Sequence, residues 1–147
     1  MNTTNQIITE EIFQVKEPNE VYGLADLIYK KEAYEIISCC FEVHKILGKG
    51  FLEIIYKDAL QHEFDLRKIQ YARERTFEVH YKNKILQRHY NSDFIVFDKN
   101  VLEVKAQEDV IEKNFKQTIN YLKEANLKLG LLVNFGENNL KFKRVVL

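Results

Sequence analysis

Apolar residues recur three and four apart from Leu27 through Ile36, Ile37, Cys40, Phe41, Val43 and Leu47, the stripe of an amphipathic helix. Gly48-Lys49-Gly50 ends it, with Gly48 suited to a left-handed C-cap and Gly50 to a tight restart. A second helical pattern runs from Phe51 to about Leu66 and predicts Leu52, Ile55, Ala59 and Leu60 as its buried face. From Tyr71 the period shortens to two. Thr76–Tyr81 reads as a strand, Lys82-Asn83-Lys84 as a turn, and Ile85–Phe97 as a long strand bent or bulged near Tyr90-Asn91. Val101–Ala106 completes a meander. Helical spacing returns over Val110–Ala125 through Ile111, Phe115, Ile119 and Leu122, and two strands follow at Lys128–Phe135 and Lys141–Val146.

The order helix, helix, three strands, helix, two strands defines an α/β domain with a mixed sheet, of the α+β kind. Residues 1–25 lack this periodicity and contain the one proline, Pro18; they read as an N-terminal extension with at most one short strand or helical turn, leaving 26–147 as the domain. No apolar run approaches a membrane span, and the N-terminus lacks the pattern of a secretory signal, so the expectation is a cytoplasmic protein. Basic and acidic residues balance at 22 each, which argues against a protein that coats nucleic acid non-specifically. A local basic rim is still available, because Lys45, Lys49, Lys57, Arg67, Lys68, Arg73 and Arg75 fall in one third of the chain; a solvated helix face would use the same residues. Adjacent Cys39 and Cys40 make a disulfide framework untenable, and Cys40 with His44 at i and i+4 finds no second pair to complete a zinc site; both cysteines read as small buried residues. His44 and His80 read as structural.

Candidate chemistry centres on Asp93 and, ten residues later, Glu103-Val104-Lys105. Strand alternation puts Glu103 and Lys105 on one face. A three-residue loop at Asp98-Lys99-Asn100 sets Phe97 opposite Val101 and Asp93 opposite Lys105, on the face of Glu103; a two-residue loop would send Asp93 to the other face. Converging carboxylates need a cation, and hard oxygen ligands beside an ammonium suit Mg²⁺ or Mn²⁺ and phosphodiester hydrolysis. Taken alone, an E-x-K triplet also describes an ordinary solvent-facing strand.

Gly50-Phe51-Leu52-Glu53-Ile54-Ile55-Tyr56 spells G-x-x-E-x-x-Y, preceded by Glu42-Val43-His44, and the chain resembles the GxxExxY proteins, a group similar to PD-(D/E)XK nucleases. The likeness continues through Tyr90-Asn91-Ser92-Asp93, Leu102–Ala106, Gln117, Asn120-Tyr121-Leu122, Leu129–Gly136 and Arg144-Val145-Val146, covering about Leu27 to Leu147. It implies a restriction-endonuclease-like core in which Glu53 joins Asp93 and Glu103 around one or two divalent ions. Lys105 then orients or deprotonates the attacking water, Gln117 is a site glutamine, and the product carries a 5′-phosphate. Two departures stand out: Asn114 occupies a position where relatives often carry histidine, and Ser92 replaces the usual proline or alanine. Glu53 also stands four residues before Lys57, the favourable order for a surface ion pair, and Tyr56 lies where its hydroxyl could hold the Glu53 carboxylate. Asn114, Gln117 and Tyr121 share a helix face that could equally contact a strand edge.

Three functions follow from these residues: a metal-dependent nuclease acting on DNA or RNA, a catalytically inactive nucleic-acid-binding or assembly module on the same fold, and a hydrolase of another phosphate ester. An exposed sheet edge and the apolar tail Val145-Val146-Leu147 suit a homodimer.

Overall fold

The computed structural model describes residues 28–109 and 112–147. The N-terminal extension and Val110-Ile111 lie outside the described residues.

Helix α1 (Lys30–Leu47) is followed by α2 (Glu53–Leu66), then six short strands, β1 (Tyr71–Arg73), β2 (Thr76–Phe77), β3 (His80–Tyr81), β4 (Lys84–Ile85), β5 (Tyr90–Asn91) and β6 (Phe94–Val96). The longer β7 (Asn100–Lys105) leads into α3 (Glu112–Ala125), β8 (Leu129–Asn134) and β9 (Lys141–Val146). The main sheet has the order β1-β6-β7-β8-β9. Its strands are antiparallel except β7 and β8, which run parallel with α3 as their crossover. The expected mixed α/β architecture is present.

The sheet separates two apolar layers. Phe94, Val96, Leu102, Val104, Leu131, Val133 and Phe142 face α1 and α2, while Ile95, Val101 and Val145 pack with Leu122, Phe115 and Ile119 of α3. Gly130 lets α3 approach β8, since a Cβ there would meet Thr118 Cγ2 at 2.8 Å. Of the expected α1 stripe, Ile36, Ile37, Cys40 and Val43 are buried, with Cys39 beside them, Phe41 and Leu47 are partly buried against the core, and Leu27 lies outside the described residues. Helix α2 corrects its expected face. Tyr56, Leu60 and Phe64, four residues apart, are the fully buried positions, Ala59 only flanks the core, and Leu52 and Ile55 are exposed. The large rings decide this, because Phe64 meets Phe94 edge-on and Tyr56 stacks on Phe135 at 4.7 Å.

The segment expected as two strands, Thr76–Tyr81 and Ile85–Phe97, is broken into short pieces. Tyr71–Arg73 pairs with Phe94–Val96 and Thr76–Phe77 with Tyr90–Asn91 in one continuous register, bridged by Glu74 N–H to Asp93 O and Ser92 N–H to Arg75 O. Glu74 has φ 54° at the break. The anticipated irregularity is therefore a bend at Ser92-Asp93 with no inserted residue. Beyond it, β3 and β4 form a small hairpin around Lys82-Asn83, with Lys82 at φ 54°. No helix among the described residues is long and apolar enough to cross a membrane.

Candidate active site

Register between β6 and β7 sets the site. Phe94 pairs with Leu102, Ile95 with Val101 and Val96 with Asn100, so the loop holds three residues, Phe97-Asp98-Lys99, one place earlier than expected. Continuing the ladder sets Asp93 opposite Glu103, two residues from its expected partner Lys105. The face is unchanged because the shift is even. The reason lies in the turn: Phe97 and Asp98 both adopt positive φ, at 57° and 55°, and Lys99 N–H donates to Val96 O. Paired left-handed residues match the twist of a hairpin, and the Phe97 ring, packed against the main core, holds a conformation phenylalanine seldom takes. Asn100 is fully buried and its Nδ2 also donates to Val96 O, which fixes it as a strand residue and removes it from the loop.

Asp93 stands at the bend, where the strand leaves the sheet. Its Oδ2 accepts the Val104 N–H at 2.7 Å and its Oδ1 lies 2.6 Å from the ammonium of Lys57 on α2. Ser92, beside it, uses its N–H in the ladder bond to Arg75, a bond that proline in this position could not make. Glu103 is buried, in hydrogen-bonding contact with Asp93, and its Oε1 has no partner among the described residues. Burial, then the charge and hydrogen bond of Asp93, push its carboxyl up to about 9, with Lys105 pulling the other way. Without a bound cation, burial and the neighbouring Asp93 thus favour the protonated form of Glu103 at neutral pH. Lys105 is half-buried at the end of β7, and its own carbonyl accepts the Phe135 N–H.

Glu53 reaches this group through Lys57. The Lys57 Nζ lies 3.7 Å from Glu53 Oε1, so one ammonium stands between the helix carboxylate and Asp93. Burial alone would lower the Lys57 pKa; the hydrogen bond and charge of Asp93, with Glu53 and Glu74, outweigh it and hold it above the usual lysine range. Among the described residues, no three His, Cys, Asp or Glu side chains are grouped as a metal ion would need. Two carboxylates converge, and the third is separated from them by a lysine.

Lys57 is the residue that sequence reasoning missed. It was visible only as a member of the basic stretch and as a surface partner for Glu53, although its i+4 position from Glu53 already put it on the site-facing side of α2. Tyr56 corrects a second expectation. Its hydroxyl donates to Gly48 O at 2.6 Å and accepts the Phe51 N–H at 3.2 Å, so it secures the Gly48–Phe51 connection and not the Glu53 carboxylate. Gly48 and Gly50 there have φ 67° and 107°; with ψ −168° Gly48 departs from the left-handed helical cap. His44 is structural, its Nε2 at 3.0 Å from Glu137 O, whereas His80 is exposed on β3.

On the α3 side, Gln117 is half-buried between Asn114 and Tyr121 on the same helix face. Tyr121 stacks on Tyr90 at 4.2 Å, and Tyr90 donates its hydroxyl to Tyr121 O. Burial raises the Tyr121 pKa, and the charges of Glu103 and Asp93 raise it further. Asn114 accepts from Gln107 Nε2, while Asn134 bonds both the N–H and the carbonyl of Gln107. This clamp fixes the chain at Gln107, just after β7.

The site is thus a buried carboxylate pair with a lysine at one strand end of a mixed sheet, between flanking helices. Residues 30–145 match the model of the PD-(D/E)XK nuclease superfamily, and the chain belongs to that superfamily. In fold it is similar to the crystal structure of SSO0001, with TM-score 0.51 and 21% identity over 97% of this chain and 74% of that one. No curated protein matches the sequence.

Proposed function

We propose that the protein is a nuclease of the GxxExxY group that uses Mg²⁺ or Mn²⁺ to hydrolyse phosphodiester bonds of DNA or RNA. The observation that carries this reading is the Asp93–Glu103 pair beside Lys105, with a buried Glu103 oxygen that has no partner among the described residues. A buried acceptor left unsatisfied is costly unless a cation meets it. The donor set also fits, since carboxylate oxygens are the ligands of a hard divalent ion.

Asp93 and Glu103 would hold the ion, and Glu53 would add to them through water. When bound, the ion would lower the pKa of a coordinated water and stabilise charge on the phosphate. To serve as a ligand, Glu103 would give up the proton that its burial favours. The Val104 N–H keeps Asp93 in a fixed rotamer throughout. Lys105 holds the nucleophile or offsets charge at the phosphate, a preorganised electrostatic role. Gln117, one turn before Tyr121 on α3, orients the substrate or water from the other side.

The Lys57–Asp93 ion pair favours a second reading, a module that binds nucleic acid or assembles without cleaving, because it balances the Asp93 charge without a metal. Mn²⁺ titration calorimetry on the native chain and on Asp93→Ala separates the two. Binding that is lost in the variant supports the nuclease; no binding by the native chain supports the module. Incubation with single-stranded, duplex and branched nucleic acid in Mg²⁺ then tests cleavage, and equal cleavage by Lys105→Ala would assign the activity to a contaminant.

A further inference from the structure

We propose that Lys57 is a resident counter-ion of the metal-free site: its ammonium neutralises Asp93 until a divalent cation displaces it, so that loading is an exchange of one cation for another. The inference rests on the metal-site reading above and adds to it how the site is kept stable when empty and how its affinity is limited.

Asp93 presents two oxygens, and both are engaged. Oδ2 holds the Val104 amide and Oδ1 holds Lys57 at 2.6 Å, with both side chains largely removed from solvent. Mg²⁺ binds carboxylate oxygen at about 2.1 Å. An ammonium already in contact with the same oxygen would repel it and crowd its approach. The lysine has a destination at hand: Glu53 Oε1 is 3.7 Å away, four residues earlier on the same helix, and its side chain is more exposed than that of Asp93. A rotation of the lysine side chain toward Glu53 frees Asp93 Oδ1 without moving the backbone of either element. A structural salt bridge and a displaceable counter-ion predict opposite effects of removing the lysine, since loss of a support disorders the ligand and loss of a competitor exposes it.

Mn²⁺ titration calorimetry, with melting temperatures in chelator and in saturating Mn²⁺, is applied to the native chain, Lys57→Met and Lys57→Arg. Lys57→Met is expected to bind Mn²⁺ at least about tenfold more tightly than the native chain. It also melts lower in chelator, with a larger rise on adding metal. Lys57→Arg, whose guanidinium can grip Asp93 through two bonds, is expected to bind several-fold more weakly. Binding by Lys57→Met but not by the native chain supports the exchange in its strongest form. Native binding with equal or weaker affinity in Lys57→Met overturns the proposal and leaves the metal site standing. Absence of binding in both removes the metal site and the proposal together. If Lys57→Met does not fold, the Arg variant decides, and unchanged or tighter binding by it rejects the exchange.

Discussion

Asp93 accepts the Val104 N–H through one oxygen, so the carboxylate at the bend of one strand is tied to the backbone of the next, directly after Glu103. The bond makes Asp93 both a candidate ligand and a structural acceptor, and substitutions separate these roles. Asp93→Asn keeps an oxygen for the amide and is expected to fold while losing Mn²⁺ binding. Asp93→Ala leaves the buried amide unpaired and is expected to be less stable than Asp93→Asn by about 1–3 kcal/mol. Urea denaturation of the two variants checks the difference.

Glu103 makes the metal-free protein sensitive to alkali. Its folded pKa of about 9 lies above the unfolded value of about 4.3, so its stabilising contribution is complete below the unfolded value and is lost as pH rises through the folded one. Melting temperatures in chelator are expected to fall between those two values. Glu103→Gln, which cannot ionise, is expected to flatten that decline, and a slope identical to that of the native chain would contradict the assignment.

On the proposed reading, metal loading at neutral pH would require the same Glu103 proton to leave. Mn²⁺ binding is therefore expected to release close to one proton and to tighten as pH rises toward 9. Calorimetry in buffers of different ionisation enthalpy measures the release, and Glu103→Gln should abolish it.

Tyr56 carries its hydroxyl into the connection between α1 and α2. Tyr56→Phe keeps the ring stack on Phe135 and removes two hydrogen bonds to the Gly48–Phe51 backbone. A loss of about 0.5–1.5 kcal/mol is expected by chemical denaturation, with Mn²⁺ affinity little changed because the hydroxyl does not touch Glu53.

Gly136 is packed against the segment that leaves Lys105. A Cβ there would fall 2.3 Å from Gln107 O and 2.4 Å from Gln107 N, both backbone atoms. Gly136→Ala is expected to cost about 1–3 kcal/mol, because the backbone must shift to make room. The shift would strain the Asn134–Gln107 clamp, so any metal-dependent activity should fall with stability.

Much of this fold was legible because its helices and long strands obey a single period. The stripe of α1 and the crossover through α3 follow from helical spacing, β9 spans the residues expected, and β8 falls one residue inside each of its expected ends. Residues 71–97 did not follow, since strands of two and three residues interrupted by positive-φ positions such as Glu74 and Lys82 carry too few alternations to be read. The face of α2 was misjudged because Leu52 and Ile55 are as hydrophobic as the residues that won; ring packing of Tyr56 and Phe64 against the sheet decided it, and that information is tertiary. In the candidate site, Asp93, Glu103 and Lys105 were recognisable by parity even though the turn lay one residue earlier. Lys57 was hidden because its principal partner, Asp93, is distant in sequence, while Glu53, four residues before it, offered a sufficient local explanation.

The turn at Phe97-Asp98-Lys99 has a consequence for how such a site can vary over evolution. With the loop held at three residues, insertion or deletion of one residue there would reverse every side chain of β7, sending Glu103 and Lys105 into the aliphatic layer beneath α1 and α2 and Leu102 and Val104 to the α3 side. Length changes by two leave the faces intact and merely slide the carboxylates past each other by one pair. Divergence of this hairpin is thereby quantised: drift in even steps tunes the spacing of the acids, and an odd step removes the chemistry and the core together.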